Sequence, residues 1–174
     1  MSDMTDNGRL LESVKNALES RKFKAYAVSD FTAAEKVLGE IIAGTGAESV
    51  AWGGSMTVEP FLNGIRDRFL SGTIIDTQEP GVAWAEIYER RRQALLVDLF
   101  VTGANAITED GEIVNCDAIG NRVGGLSFGP KNVIVIAGRN KITADRESAF
   151  NRIKYHAAPL NARRLGFDTP CAKT

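Results

Sequence analysis

"ESVAWGGSMTVEP", residues 48–60, decides the fold class of this chain. A short apolar strand ends at Trp52, a glycine-rich turn follows at once, and helical apolar spacing begins after Thr57. Pro60 fits the first turn of that helix, where a missing N–H costs nothing. A strand that runs through a tight turn into a helix is the repeating unit of α/β folds. The stretch therefore predicts an α/β architecture.

The segments on either side continue the alternation. Apolar periodicity predicts helices over residues 8–21, 32–42, 58–69, 83–95 and 145–158. It predicts strands over residues 24–29, 48–52, 72–77, 97–103 and 132–138, the last of these buried. We therefore expect a Rossmann-like, mostly parallel sheet flanked by helices on both faces.

Local signals refine three of these elements. Thr32 with Glu35 fits a capping box at the start of the second helix. The Asp110-Gly111 pair predicts a small β-hairpin excursion within residues 105–115. Pro159 is expected to end the last helix.

Composition narrows the class of protein. The 174 residues carry a formal net charge of −1, so neither nucleic acid nor an acidic membrane is an expected partner. No apolar stretch reaches the roughly 20 residues of a membrane span, and the first residues do not resemble a secretion signal. We expect one cytoplasmic domain over residues 1–174. Two isolated cysteines and one histidine predict no metal site.

The glycine-rich turn has two interpretations. Gly53, Gly54, Ser55 and Thr57 can form an ordinary turn in which Ser55 caps the helix. They can also form an anion cradle, because glycines let the backbone approach a ligand and helix N-termini favour negative charge. The turn alone favours the first interpretation.

Residues 97–143 are rich in amides and cations at the ends of predicted strands. Asn105 follows a buried strand, at the edge where α/β folds bind ligands. Asn121 with Arg122, and Asn140 with Lys141, place a cation beside an amide. Asx turns with the charges in solvent are the alternative, and they suit Asp110 better than they suit Gly-Asn-Arg and Arg-Asn-Lys. One arginine of the run at residues 90–92 is free to turn inward toward an anion, and Trp52 and Trp84 are expected in the core.

Five ordered motifs resemble the lactate-utilisation (LUD) domain family: "WGGSMT", "NAITEDGEIVNCDAIGNRV", "FGP", "GRNKI" and "APLNARRL…TPC". A more distant resemblance is to the superfamily of ribose-5-phosphate isomerase, glucosamine-phosphate deaminase and CoA transferases. The resemblance implies a site built from the Gly53 loop and the loops around Asn105 and Gly120. It also implies a role in oxidising lactate to pyruvate with iron–sulfur partner proteins.

Two departures from the relatives qualify this resemblance. Sugar-phosphate isomerases carry an aspartate where this chain has Asn105, and an amide cannot serve as a general acid or base. Asp117 or Glu112 would have to take that catalytic role. Many relatives continue beyond "TPC" into a cysteine-rich tail suited to binding a metal cluster. Either such a tail follows residue 174 or this member lacks it, and Cys171 alone cannot hold a cluster. We assign no metal and no particular cofactor.

Three functions follow as hypotheses. The first is a subunit or accessory of a lactate-oxidising system that binds a small anionic metabolite or cofactor, either as a single chain or as a homo-oligomer. The second is a free-standing isomerase or CoA-transferase-like enzyme, and the third a non-catalytic assembly module. The candidate ligand-binding residues are Gly53, Gly54, Ser55, Thr57, Asn105, Gly120, Asn121, Arg122, Asn140 and Lys141.

Overall fold

The computed structural model of the protein describes residues 6–173. The α-helices are α1 (Asp6–Ser20), α2 (Phe31–Thr45), α3 (Leu62–Arg68), α4 (Trp84–Gln93), α5 (Asn121–Ser127), α6 (Arg146–Arg152) and α7 (Ala158–Arg164). The strands are β1 (Ser49–Trp52), β2 (Thr73–Ile75), β3 (Leu99–Gly103), β4 (Ala106–Thr108), β5 (Ile113–Val114), β6 (Asn132–Ile136) and β7 (Ile142–Thr143). Short 3-10 helices lie at Glu59–Phe61, Ala94–Leu96, Arg139–Lys141 and Pro170–Lys173. Among these elements, no helix has both the length and the apolar character needed to cross a bilayer.

The chain forms two compact units, and each is built from segments that are not contiguous in sequence. The parallel-sheet unit comprises residues 28–103 and 117–137. The hairpin unit comprises residues 6–27, 104–116 and 138–173. The composition of the sequence does not change where the chain passes from one unit to the other. A single domain over residues 1–174 stays a prediction.

The parallel-sheet unit contains four strands in the order β2-β1-β3-β6, all parallel. The chain passes from β1 outward to β2, and then crosses back past β1 to reach β3. The direction of winding therefore reverses between β1 and β3. In open α/β sheets, ligands bind beside the carboxyl ends of the strands at such a reversal.

Neighbouring residues of β3 pack against opposite faces of this sheet. Val101 lies in one hydrophobic cluster with Ile42 of α2 and Ile65 of α3. Phe100 lies in a second cluster with Ala94, at the end of α4. Because side chains alternate along a strand, these two clusters lie on opposite faces. The predicted α/β sheet with helices on both faces is confirmed.

The amino ends of the strands are tied together by Asp98. Its carboxylate accepts hydrogen bonds from the Ser49 hydroxyl at 2.8 Å, from Ser49 N at 3.0 Å and from Glu48 N at 3.1 Å. Lys131, just before β6, forms an ion pair with it at 2.6 Å. One carboxylate thus links the starts of β1, β3 and β6.

The hairpin unit contains a second sheet, in the order β5-β4-β7. β4 and β5 are antiparallel, as the Asp110-Gly111 pair predicts. Gly111 has φ of +78°, and a Cβ there would lie 2.7 Å from the carbonyl carbon of Ala17 in α1. The turn therefore requires glycine both for its backbone angle and for its approach to α1.

Three details of the prediction are wrong. Residues 24–29 form no strand. The cap of α2 is Asp30, whose carboxylate accepts from Ala33 N at 2.9 Å, rather than Thr32. Residues 132–136 form an edge strand that, in the described part of the chain, pairs only with β3, and Val133 is 36% exposed.

Pro159 does not end the last helix. The chain continues from α6 through a π-helical turn at Ile153–Ala157 into α7, where Pro159 occupies the first turn. Proline has no N–H to donate and is tolerated in a first turn. The π turn therefore provides a new helix start inside an otherwise continuous segment.

Candidate functional site

The Gly53 loop lies at the carboxyl end of β1. Gly53 N donates to Val101 O at 2.9 Å, which extends the pairing of β1 with β3 by one residue. A Cβ on Gly53 would lie 2.6 Å from Cγ of Arg122 and 2.8 Å from Oγ1 of Thr102. Glycine is needed here because the aliphatic part of Arg122 lies directly on the backbone.

Ser55 holds the next part of the loop between β1 and β3. Its Oγ accepts from Thr57 N at 3.2 Å, and it lies against the α-carbon of Gly103 at the end of β3. Ser55 O accepts from Val58 N at 3.0 Å. The helix begins later than predicted, with a 3-10 turn at Glu59–Phe61 before α3. No long helix begins at Thr57, so the loop does not offer an anion the dipole of a long helix there.

Gly54 borders the carboxyl end of β2. A Cβ on Gly54 would lie 3.1 Å from Oε1 of Gln78. Thr77, beside Gln78, donates from its hydroxyl to Trp52 O at 2.6 Å and is fully buried. The carboxyl ends of β1, β2 and β3 thus meet around the Gly53 loop.

Arg122 is fixed by Asp117. Asp117 Oδ1 accepts from Nε of Arg122 at 2.7 Å, and Oδ2 accepts from Arg122 N at 2.7 Å and from Val123 N at 2.8 Å. The two side chains are only 13% and 4% exposed. Gly120, with φ of +79°, and Asn121 lead into α5 beside this pair. Asp117 is therefore a helix cap and an ion-pair partner at once.

Arg91 is the inward-turning member of the arginine run. Its guanidinium stacks on the ring of Trp84 at 4.7 Å, and its Nε is buried with no hydrogen-bond acceptor in residues 6–173. Burial lowers the pKa of Arg91, and the negative charge of Asp117 opposes that shift. Arginine stays protonated at neutral pH in any case. We call Arg91, Asp117 and Arg122 the arginine cluster. It contains two cations and one carboxylate.

Other arginines of the parallel-sheet unit are neutralised. Arg66 pairs with Asp76 at 2.8 Å, and Arg90 pairs with Glu79 at 2.5 Å and with Glu86 at 2.6 Å. A surface cleft of about 630 Å³ is lined by Arg66, Asp76, Glu79 and Arg90 and does not include the Gly53 loop. Because its charges are matched, this cleft offers less to an anion than the arginine cluster does.

Asn105 lies in the hairpin unit, where its polar groups hold the start of the hairpin. Its Oδ1 accepts from Cys116 N at 3.0 Å, and its N donates to Oδ1 of Asn115 at 3.0 Å. Its carbonyl accepts from Nη1 of Arg152 at 2.7 Å. The Asx interaction considered from the sequence is thus present.

Asn140 and Lys141 form part of the 3-10 helix Arg139–Lys141. Asn140 O accepts from Nε of Arg152 at 3.2 Å. Arg152 therefore joins the backbone at Asn105 to the backbone at Asn140, and burial lowers its pKa. No spacing or composition signal distinguished this arginine in the sequence.

Glu112 lies at the start of β5 and binds two arginines. Arg146 donates to it from Nε at 3.0 Å and also from Nη2, and Arg21 lies 3.8 Å away. The hydrogen bonds from Arg146 lower the pKa of Glu112. This shift favours a permanent carboxylate.

The structure thus divides the predicted site residues between the units. The parallel-sheet unit brings Gly53, Gly54, Ser55 and Thr57 into one region with Asp117, Gly120, Asn121 and Arg122. The hairpin unit contains Asn105, Glu112, Asn140 and Lys141. Trp84, expected in the core, is instead 55% exposed. Metal-binding groups of three or more His, Cys, Asp or Glu side chains are absent from residues 6–173.

Comparison with known proteins gives one match. A family model described as the LUD domain matches residues 11–174. No curated protein and no solved structure matches the chain. The match extends over both compact units.

Proposed function

Since the chain belongs to the LUD domain family, we propose that it is a lactate-utilisation type protein that binds a small anionic metabolite or cofactor. In this proposal it acts as a subunit or accessory of a system that oxidises lactate to pyruvate with iron–sulfur partner proteins. Membership in the wider isomerase and CoA-transferase superfamily is part of the same proposal, and the parallel sheet is consistent with it.

The observation that carries the binding role is the uncompensated charge of the arginine cluster. Asp117 is already engaged by Arg122 at hydrogen-bond distance, whereas Nε of Arg91 is buried without an acceptor. A buried donor without a partner is costly, and each one in a native protein calls for an explanation. A carboxylate or phosphate that accepts from Arg91 would provide the missing partner.

The surrounding residues suit such a ligand. Arginine binds carboxylates and phosphates through paired N–H donors. The cluster adjoins the Gly53 loop, at the reversal point of the parallel sheet where ligands commonly bind. Ser55 carries a hydroxyl in this loop, and the aliphatic part of Arg122 packs directly on the Gly53 backbone.

Acid–base catalysis by the predicted carboxylates receives less support. Both oxygens of Asp117 are occupied by N–H groups of Arg122 and Val123. The pKa of Glu112 is lowered by Arg146, whereas a general acid needs a pKa raised toward the working pH. Catalytic roles for these two residues stay predictions, and the geometry favours recognition over isomerisation.

The binding test compares two adjacent arginines of α4. Arg92 is a matched control, because its side chain is 68% exposed and contacts Glu89 at 3.4 Å. L-lactate, pyruvate and inorganic phosphate are titrated into the wild type, Arg91→Gln and Arg92→Gln by calorimetry. We expect Arg91→Gln to lose about tenfold or more in affinity, the value of one charge-assisted hydrogen bond. Arg92→Gln should bind as the wild type does.

Equal binding by the wild type and a folded Arg91→Gln variant would remove the arginine cluster from the site. The metabolic role is tested separately, by growth on lactate of cells that lack the gene and carry either wild type or Arg91→Gln. Unimpaired growth of the deletion strain on lactate would show that the metabolic proposal is wrong.

A further inference from the structure

Trp84 is the one tryptophan that the described structure leaves open to solvent. It is the first residue of α4 and is 55% exposed, whereas Trp52 is fully buried. The guanidinium of Arg91 lies over its ring at 4.7 Å. A cation is attracted to the face of an indole ring, so Trp84 is a partly exposed aromatic surface that carries Arg91 on one face.

This surface is connected to the anion site through residues of the same unit. Arg91 is shared, since it stacks on Trp84 and is influenced by the charge of Asp117. The segment that leads into α4 begins at the carboxyl end of β2, where Gln78 borders Gly54. An anion held by Arg91 would therefore lie next to the indole.

We propose that this site takes a ligand in which a phosphate is joined to a planar heteroaromatic ring, as in a mononucleotide. Arg91 and Arg122 bind the phosphate, and the ring stacks on Trp84. The inference rests on the proposed anion site and specifies its ligand class. Lactate has no ring to stack, so such a ligand is a cofactor and not the lactate itself.

The chemistry of stacking does not depend on which ring the nucleotide carries, because every base presents a π face. Adenine, nicotinamide and flavin share the features that the site recognises. The experiment therefore uses AMP, nicotinamide mononucleotide and flavin mononucleotide as separate probes. Ribose 5-phosphate, which has the phosphate and no ring, is the reference.

A matched control lies one turn along the same helix. Tyr88 is 37% exposed, and the cation over its ring, at 5.1 Å, is Arg92 and not Arg91. The wild-type, Trp84→Ala, Trp84→Phe and Tyr88→Ala proteins are titrated with the four probes by calorimetry. The readout is the ratio of each ring ligand's affinity to that of ribose 5-phosphate, which cancels any change in phosphate binding.

We expect the wild type to bind at least one ring ligand about tenfold more tightly than ribose 5-phosphate. Trp84→Ala should reduce that ratio to about one, Trp84→Phe should restore most of it, and Tyr88→Ala should leave it unchanged. A wild-type ratio of about one for all three rings would overturn the inference. A ratio that Trp84→Ala does not change would overturn it as well, whatever that variant does to growth on lactate.

The titrations distinguish failure of the ring subsite from failure of the anion site. If phosphate binds and Arg91→Gln abolishes that binding while the rings add nothing, the anion site stands and the ring subsite does not. If no anion binds to the wild type, both proposals are wrong.

Discussion

Gly53 shows how the absence of one side chain shapes the candidate site. The sequence identifies this glycine as a place of close approach, but it does not say what approaches. The structure shows that the neighbour is the protein's own Arg122, whose Cγ would lie 2.6 Å from a Cβ at residue 53. The absence of a Cβ at Gly53 thus lets the side chain of Arg122 pack directly on this loop.

Replacing Gly53 by alanine should therefore destabilise the protein and displace Arg122. We expect a loss of about 1–3 kcal/mol in the free energy of unfolding, typical of an overpacked site, measured by urea denaturation. Gly44→Ala is the matched control, because nothing lies within 4 Å of a Cβ there in α2. It should be neutral or stabilising by up to about 1 kcal/mol. Equal effects of the two variants would contradict the close packing at Gly53.

Arg91 should reduce stability in the absence of a ligand. Its guanidinium is partly desolvated and its Nε has no acceptor in the described residues. Arg91→Met keeps an adaptable side chain against Trp84 and removes the charge. We expect it to raise the free energy of unfolding by about 0.5–1 kcal/mol, as when other unmatched buried charges are replaced.

Thermal unfolding with and without phosphate tests this expectation. Phosphate should raise the Tm of the wild type, since a ligand that binds the native state stabilises it, and should leave that of Arg91→Met unchanged. A lower Tm for Arg91→Met without phosphate would mean that the cation–π contact outweighs desolvation.

At the scale of the element, periodicity predicted the four parallel strands, and Asp110-Gly111 predicted the hairpin. The prediction was wrong where contacts with other parts of the chain determine the local structure. Residues 24–29 have strand-like composition but find no partner strand in the described chain. Pro159 would end an ordinary α-helix, yet a π turn accommodates it.

The hydrogen bonds and the ion pair of Asp98, at the amino end of the parallel sheet, should make the stability of the protein depend on pH. Hydrogen bonds from Lys131, Ser49 and the Glu48 backbone lower the pKa of Asp98 below its ordinary value of 3.8. A lowered pKa means that the native state favours the carboxylate. The stabilisation is therefore fully present above about pH 5 and is lost as the pH falls below 3.8 toward the lower native value.

Asp98→Asn should accordingly lower Tm at neutral pH, and its difference from the wild type should shrink on acidification below pH 3.8. Asp67→Asn, at an exposed position of α3, is the control and should change Tm little. Thermal scans from pH 7 to pH 2.5 provide the measurement. A difference that stays constant through the acid range would show that Asp98 acts by shape and not by charge.

At the scale of the whole molecule, the division into two units was beyond what the sequence could indicate. The crossings at residues 27, 103, 116 and 137 carry no linker composition. For the same reason, the sequence indicated candidate site residues from their residue types but did not show which unit each of them belongs to. Arg122 and Gly53 were both candidates, yet their direct packing, 69 residues apart in sequence, depends on the pairing of β1 with β3.

The parallel-sheet unit should fold without the rest of the chain. A fragment of residues 28–137 contains both hydrophobic clusters and all four parallel strands, and it carries the β4–β5 hairpin as an insertion. We expect cooperative urea unfolding by fluorescence, since Trp52 and Trp84 both lie within it. A fragment of residues 28–116 lacks α5 and β6 and should show no such transition. Failure of the longer fragment to fold would mean that the unit depends on residues outside it.

The interleaved order of the units also matters while the chain is being made. α1 leaves the ribosome before the later segments of its own unit, which begin at residues 104 and 138. At about 5–20 residues per second, synthesis from residue 27 to residue 138 takes roughly 6–22 s. Throughout that interval the apolar face of α1 around Val14, which is 5% exposed in the finished protein, lacks the last segment of its unit. The nascent helix therefore keeps part of its apolar face without its native partners until the segment that begins at residue 138 has been made.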